Sequence, residues 1–301
     1  MKTRQSEFIK TKDRCDHKIE ISKSGNTIMT KTGFFLFFFL TAVEVFCQDS
    51  IDNCIAKHYI SLKSGGRRYY TRDKVYSPMI YKGTGVPMDI EYHNHKTKRD
   101  YRVYLHYTQT KVTSSITGDK DGFYANYFDL LNINIGFQYL RHIRSCSGWD
   151  IQLGGAWENF VLYKNQVLIY ENSQWALDVF SDLKLACHVR RAINEKSRIQ
   201  ADISYPLLSY VMGRVYAPQH FPEKLLKYDE DELTVGAILK SGDFLTLNKF
   251  VNFQFSTGYF ISLSKHFGLS MDYVFQYYQY PKSEVVKNAM HSLLIGLTLK
   301  W

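Results

Sequence analysis

The sequence predicts an all-β protein, an antiparallel up-and-down transmembrane β-barrel of about ten strands, within a range of eight to twelve. Three observations predict it. Apolar residues alternate with polar or small ones over many segments, the links between segments alternate between short and long, and aromatic residues make up 16% of a chain whose mean hydropathy is slightly negative. Because strand side chains alternate with a period of two, each segment has one apolar and one polar face.

The last segment shows the alternation most clearly. Its apolar face comprises Leu293, Ile295, Leu297, Leu299 and Trp301, and its other face comprises Ser292, Gly296, Thr298 and Lys300. A terminal apolar strand that ends on an aromatic residue resembles the insertion signal of bacterial outer-membrane β-barrel proteins. We expect Leu297, Leu299 and Trp301 to form that signal. The resemblance implies the bacterial cell outer membrane as the location and the barrel-assembly machinery as a partner.

Nine segments alternate in this way: residues 79–94, 101–108, 127–139, 149–157, 175–190, 199–205, 251–264, 269–277 and 289–301. An even-numbered barrel needs one more strand, which we expect within residues 59–75, although Gly65 and Gly66 weaken the pattern there. If residues 232–240 and 244–251 are themselves paired strands, the count becomes twelve.

The connections predict how the barrel is oriented. Short turns at residues 97–100, 144–148, 194–197 and 266–268 alternate with longer links at residues 113–126, 164–174, 216–247 and 281–287. In bacterial outer-membrane barrels the short turns are periplasmic and the long loops extracellular. We therefore expect Trp301 and the short turns on the periplasmic side.

Alternation alone does not distinguish a membrane barrel, apolar outside, from a secreted lipocalin-like barrel, apolar inside. The charged residues favour the membrane barrel, because they share the face opposite the apolar one: Asp89, Glu91, Asp150, Asp178, Asp182, Lys184, Asp202 and Asp272. Trp and Tyr residues near the strand ends of the apolar face are typical of aromatic girdles. The charged face is then the inner one.

The amino-terminal region predicts export. A basic start at residues 29–33 precedes an apolar core at residues 34–43, which is too short for a membrane-spanning helix. We expect residues 29–47 to be a signal peptide cleaved before Gln48, and residues 1–28 to be a misassigned upstream extension; the alternative is a cytoplasmic tail before a signal anchor. Residues 48–78 then form a periplasmic segment or the first strand, and residues 79–301 form the barrel.

The Phe-rich signal followed by Gln48 resembles outer-membrane barrel proteins of the Bacteroidetes type. This resemblance covers residues 29–301 but depends on pattern and termini, without a residue-specific motif. It therefore transfers no functional residues to this chain.

The interiors of small barrels are filled by side chains. We expect a polar network in the lumen, formed by Asp178, Asp182, Lys184, Arg190, Asp202 and Asp272. Opposite charges on one strand, at Asp182, Lys184 and Arg190, would lie beside Asp202 on the next. The sequence therefore predicts a largely occluded lumen.

Few residues suggest other chemistry. An exported chain permits a disulfide, and Cys54 and Cys146 are the candidate pair, whereas Cys187 lies on the lipid face. The histidines show no tight ligand spacing and no Gly-rich phosphate loop is present, so we expect no metal and no cofactor. The formal net charge of the chain is +9, and its Lys and Arg residues cluster in turns without a nucleic-acid-binding motif. Outer-membrane lipids and lipopolysaccharide are the expected partners, and nucleic acid is not.

Two classes of function follow. The first is a non-enzymatic outer-membrane protein with a structural, binding or small-pore, porin-like role. The alternative is an embedded hydrolase or acyltransferase acting on lipid or peptide. His291 and Ser292 suggest such chemistry, but adjacent strand residues point to opposite faces and cannot form a nucleophile and base pair.

Overall fold

The computed structural model describes residues 58–73, 79–96, 98–114, 127–146, 148–167, 174–216, 242–247, 249–280 and 286–301. These residues form β1 (His58–Asp73), β2 (Ile80–Lys96), β3 (Arg99–Ser114), β4 (Tyr127–Cys146), β5 (Trp149–Val167), β6 (Gln174–Ala192), β7 (Ser197–Tyr216), β8 (Asp243–Thr246), β9 (Val251–Ser262), β10 (Phe267–Tyr280) and β11 (Val286–Lys300). Within the described residues, no helix is long and apolar enough to cross a membrane.

The strands form a closed antiparallel barrel with ten positions. Consecutive strands pair from β1 to β7 and from β9 to β11, while β7 pairs with β9 and β11 pairs with β1. The short β8 shares one position with β9, because both pair with β7, at Leu208–Val211 and at Ser197–Ser204 respectively. The prediction of about ten strands is confirmed. The twelve-strand alternative depends on residues 232–240, which lie outside the described residues.

The seam between the first and last strands closes the barrel. Residues pair continuously from Tyr59 opposite Lys300 to Asp73 opposite Val286. His58 and Trp301 exchange backbone hydrogen bonds of 3.3 and 3.0 Å at the end of this seam. The strand expected within residues 59–75 is therefore β1, which forms one half of the seam.

The alternation translates into an apolar exterior and a largely polar interior. In β4, Ile135 is 50% exposed whereas the neighbouring Asn134 is 2% exposed, and in β11 Ile295 is 60% exposed whereas Ser292 is 3% exposed. This is the reverse of a lipocalin-like barrel. The membrane sense that the charged residues favoured is confirmed by these exposures.

The two ends of the barrel differ in their connections. Residues 97–98, 147–148, 193–196 and 263–266 join strands at the end that also carries His58 and Trp301, here called the short-turn end. At the opposite end, here called the long-link end, consecutive strands are separated in the sequence by residues 115–126, 168–173, 217–242 and 281–285. At the short-turn end, Gly148 adopts a φ of 80°, which favours glycine, and the Asn194 side chain accepts hydrogen bonds from the amides of Lys196 and Ser197.

Two irregularities change which residues face inward. A β-bulge in β4 leaves Ile143 as an extra residue between His142 and Arg144. The second irregularity is a register shift in β7 next to Pro206, a residue that has no backbone N–H to donate to a neighbouring strand. Beyond this shift Ser209 and Val211 face inward, so the alternation of residues 199–205 does not continue to the end of β7.

The terminal strand gives a prediction about assembly. Leu299 and Trp301 are 47% and 55% exposed on the outer face, and Trp301 stacks on His58 with ring centroids 6.2 Å apart. Replacing both residues with Asp should block membrane assembly, since charges on the lipid face cost roughly 2–4 kcal/mol near mid-bilayer and less at the interface. Heat-modifiable migration on gels measures assembly.

A matched control places Asp at Lys196 and Lys265, in the exposed short turns. This variant should assemble normally, because its new charges stay in water. Normal assembly of the Leu299→Asp/Trp301→Asp variant would show that the outer face of β11 does not meet lipid.

Candidate functional site in the barrel lumen

The half of the lumen towards the long-link end contains a large group of buried apolar side chains. Inward side chains form one buried cluster, here called the aromatic plug: Tyr69, Tyr81, Val112, Phe128, Leu130, Phe160, Leu162, Phe180, Val211, Phe250, Tyr278, Tyr280, Val286 and Met290. The rings of Phe160 and Phe180 stack with centroids 5.6 Å apart, and Tyr278 lies edge-on to Phe160 at 5.3 Å. Aromatic pairs in these geometries stabilise each other beyond the area that they bury.

The sequence reasoning missed the aromatic plug because it assigned polar residues to the whole inner face. A signal was present where the alternation breaks down. Residues 160–163 are apolar on both faces, and Phe128 and Leu130 occupy inward positions of β4. Consecutive apolar residues at the long-link ends of strands thus mark an apolar interior.

Beside the plug, Lys164 and Asp178 form a fully buried ion pair with Nζ and Oδ2 2.7 Å apart. The Tyr278 hydroxyl donates to the same carboxylate at 3.1 Å. Tyr278 therefore contacts both the plug and this ion pair, which lies on the long-link side of Phe160 and Phe180.

The middle of the lumen contains a buried network around Glu158. Lys184 Nζ lies 2.7 Å from Glu158 Oε1, and the Tyr104 hydroxyl donates to Glu158 Oε2 at 2.8 Å. Asp182 accepts a hydrogen bond of 2.5 Å from Asn252 on β9. Glu158 and Asp182 are 0% exposed, so each charge depends on these partners for its stabilisation.

A second group of ion pairs lies on the wall formed by β2, β1, β11 and β10. Lys63 Nζ is 2.9 Å from Glu91 and 3.1 Å from Asp272. Arg67 is 3.1 Å from Asp89 and donates to Ser292 at 2.7 Å. Both cations are buried, and each contacts residues from more than one strand.

The third group lies towards the short-turn end. Arg102 from β3 reaches across the lumen to Asp202 on β7, with Nη1 and Oδ1 3.2 Å apart, and His188 Nδ1 is 2.8 Å from the same oxygen. Arg190 Nε is 2.5 Å from Asp150 and its guanidinium is 4.0 Å from Asp100. These contacts connect opposite walls of the barrel.

All six residues predicted for the polar network face the lumen, namely Asp178, Asp182, Lys184, Arg190, Asp202 and Asp272. Their partners differ from the expected ones, because Asp202 contacts Arg102 and His188 instead of Lys184 or Arg190. The sequence reasoning placed Glu91 and Asp150 on the inner charged face but not in the network. The partners that it placed in neither set are Lys63, Arg102, Glu158 and Lys164, and all of them except Lys63 continue the inward face of a recognised strand.

Little space remains between these side chains. A cavity of about 60 Å³ is bordered by Lys63, Arg102 and Asp202, and a cavity of about 20 Å³ lies between Arg67 and Met290. A single water needs about 10–15 Å³ measured in this way, so these spaces hold a few waters.

The remaining residues that the sequence suggested as sites are the cysteines, the possible metal ligands and the His291–Ser292 pair. Cys54 and the side chain of Cys146 lie outside the described residues, and Cys187 is a free thiol. Within the described strands and turns, no group of three or more His, Cys, Asp or Glu residues could hold a metal ion. Ser292 accepts from Arg67, whereas His291 contacts the Tyr273 hydroxyl on the outer face, so these neighbours do point to opposite faces.

One catalytic-looking arrangement was missed. At the short-turn mouth, Ser145 Oγ lies 3.4 Å from His142 Nε2, and His142 Nδ1 contacts Asp150. On a regular strand, residues three apart would face opposite sides, but the bulge at Ile143 brings His142 and Ser145 to the same side. Sequence spacing could not show this, since the bulge carries no obvious signal.

No family model matches the chain, and no curated protein matches it. Among solved structures, it is similar to the outer membrane protease OmpT from Escherichia coli, at 6% identity and a TM-score of 0.47, over 84% of this chain and 99% of that one. It is also similar to the translocator domain of the autotransporter NalP from Neisseria meningitidis, at 8% identity and a TM-score of 0.43, over 93% and 98%. Neisserial surface protein A matches at 9% identity and a TM-score of 0.33, over 82% and 98%. At these identities the likeness concerns the fold alone.

The Glu158 network gives a prediction about stability. Replacing Lys184 with Met should lower the free energy of unfolding by about 3–5 kcal/mol, because it leaves the buried Glu158 without its cation. Denaturant unfolding in detergent micelles measures the change.

Two further variants make this measurement specific. Lys196→Met removes an exposed cation in a turn and should change stability by no more than about 0.5 kcal/mol. The double variant Lys184→Met/Glu158→Gln should recover part of the loss, because neither charge remains. If Lys184→Met were as stable as Lys196→Met, the ion pair would not support the barrel.

Proposed function

We propose that this chain is a non-enzymatic integral protein of the bacterial outer membrane, with a structural or binding role and a closed lumen. The observation that carries the proposal is the filled interior, where the aromatic plug and the buried Lys164–Asp178 pair occupy the half towards the long-link end and further buried ion pairs occupy the rest. Solute flow through the barrel requires a continuous water-filled path, and the cavities of about 60 and 20 Å³ between the described lumen side chains hold only a few waters.

The exterior supports a membrane location. In β11, Leu293, Ile295 and Leu297 are 51%, 60% and 55% exposed, in alternation with buried polar residues. Such a surface is unfavourable in water and favourable in lipid. The described strands other than β8 contain 12 to 20 residues, more than the 9–11 residues that cross a bilayer.

The proposal includes the route and orientation of the protein. Residues 29–47 act as the export signal, and the Phe-rich segment is consistent with a Bacteroidetes-type protein. The short-turn end faces the periplasm and the long-link end faces the cell exterior. Binding then depends on the long links, with lipopolysaccharide around the outer rim, and assembly depends on the barrel-assembly machinery recognising β11.

Planar-bilayer recordings test the closed lumen. Purified protein should show little or no conductance, since water-filled channels belong to barrels of about 16 strands or more. A general porin recorded in the same bilayers provides the positive control, and protease protection in matched vesicles verifies insertion. Stable porin-sized openings would contradict the closed lumen and assign a pore function.

The Ser145–His142–Asp150 arrangement favours a second candidate function, hydrolysis of a lipid or peptide. In that reaction Ser145 Oγ would attack an acyl carbonyl, His142 Nε2 would take the hydroxyl proton, and Asp150 would stabilise the imidazolium. The imidazolium would return the proton to the leaving alcohol or amine as its bond to the acyl carbon breaks, and water would then hydrolyse the acyl-serine. Ser145 is exposed, its hydroxyl lies next to His142, and His142 in turn contacts Asp150. However, Asp150 also pairs with Arg190 at 2.5 Å, which explains its position without catalysis.

A fluorophosphonate probe, which reacts with activated serines, distinguishes the two functions. The non-enzymatic proposal predicts no more labelling of Ser145 than of Ser264, an exposed serine in the turn between β9 and β10. Labelling that is lost in Ser145→Ala and in His142→Ala, but kept in Ser264→Ala, would establish the hydrolase instead.

A further inference from the structure

Four arginines lie on the outer face near the short-turn end, on three strands. They are Arg99 on β3, Arg141 and Arg144 on β4, and Arg191 on β6. All four are exposed, and none forms an ion pair with a carboxylate of the described residues. Within the described residues, these four charges are therefore not neutralised by a carboxylate.

Two of these arginines lie directly opposite each other. Arg99 pairs with Arg141 in the register of β3 and β4, which brings their Cβ atoms within about 4.5–5.5 Å. Like charges in this position repel and destabilise the strand pair. An anion between the two guanidinium groups would turn that repulsion into attraction on both sides.

Two residues along each strand towards the middle of the barrel, the next pair on the outer face is aromatic. Tyr101 lies opposite Tyr139, with ring centroids 5.2 Å apart and planes at 52°. Two arginines and two tyrosines thus form a square, here called the arginine–tyrosine square. Phe137 continues the surface towards the middle of the barrel and is 41% exposed. From the short-turn rim towards the middle of the barrel, the outer face is therefore first cationic, then amphipathic and then apolar.

The flanking residues extend this cationic rim. The bulge at Ile143 places Arg144 on the same outer face as Arg141, although the two are three residues apart. Arg191 lies over the ring of Trp149, 5.3 Å from its centroid. Cation–π contact holds a guanidinium at the level of an aromatic residue, where membrane interfaces place their headgroups.

We infer that the arginine–tyrosine square binds the phosphate of an anionic phospholipid in the leaflet next to the short-turn end. The guanidinium groups of Arg99 and Arg141 hold the phosphate oxygens, a geometry for which their planar forks are suited. The tyrosine pair receives the glycerol region, and Phe137 contacts the first part of an acyl chain. This inference rests on the proposed membrane location.

The order of side chains identifies the ligand as a lipid. A free phosphate would need only the two arginines, whereas the aromatic and apolar residues below them match the rest of a phospholipid. Lipopolysaccharide belongs to the leaflet at the long-link end under the proposed orientation, so a phospholipid of the periplasmic leaflet is the fitting ligand.

Native mass spectrometry of the folded protein in detergent micelles tests the inference, with phosphatidylglycerol and phosphatidylcholine as probes. The wild type should retain phosphatidylglycerol more strongly. The Arg99→Gln/Arg141→Gln variant should bind it at least about tenfold more weakly, because it loses two charge-assisted contacts. The matched control, Lys196→Gln/Lys265→Gln, removes the same charge from exposed turns and should bind as the wild type does.

Each outcome decides the question. Equal retention of phosphatidylglycerol by the arginine variant and the control would overturn the inference, as would complete displacement by millimolar inorganic phosphate, which would indicate a free-anion site. If the double variant does not fold, the single variants Arg99→Gln and Arg141→Gln carry the same comparison, since each removes the opposed pair. Heat-modifiable migration is recorded in parallel, so a wild type that forms no barrel counts against the proposed function, whereas a folded barrel without lipid preference counts against this inference alone.

Discussion

The pairing of β1 with β11 is the constraint on which the rest of the structure depends. Lipid offers no hydrogen-bond partners, so an open sheet edge in the membrane would leave a row of backbone groups unsatisfied at several kcal/mol each. The continuous register from Tyr59–Lys300 to Asp73–Val286 removes that edge. Closure also determines the number of strand positions, and therefore how much room is left inside.

A narrow interior explains why so many charges are buried without being destabilising. Side chains from opposite walls come within hydrogen-bonding distance, as Arg102 on β3 does with Asp202 on β7, and Gln276 on β10 does with Glu158 on β5. Each such contact satisfies a polar group that water cannot reach and also holds two strands at a set distance. The aromatic plug does the same by packing at the long-link end, where Phe160 contacts Tyr278 across β5 and β10.

The sequence predicts the fold well because a two-residue period needs only local information. It predicts which residues face inward, including Asp178 and Lys184, for the same reason. It does not predict their partners, since these depend on the stagger of distant strands: Asp202 lies one strand from Lys184, yet Arg102 from across the lumen reaches it. The aromatic plug escaped prediction because an inward Phe and an outward Phe look alike when both faces are apolar.

The bulge at Ile143 shows how much one backbone irregularity can determine. Without it, residue 144 would pair opposite Asp150 and face the lumen, and residue 145 would face lipid. The extra residue instead turns Arg144 outward, beside Arg141, and turns Ser145 inward, beside His142. The outward position of Arg144 beside the arginine–tyrosine square and the contact of Ser145 with His142 thus depend on the same bulge, which is a departure from alternation and cannot be read from it. Bulges are common at the rims of barrels, where they re-aim side chains, and this one directs a cation to the membrane interface while it directs a hydroxyl to the mouth of the lumen.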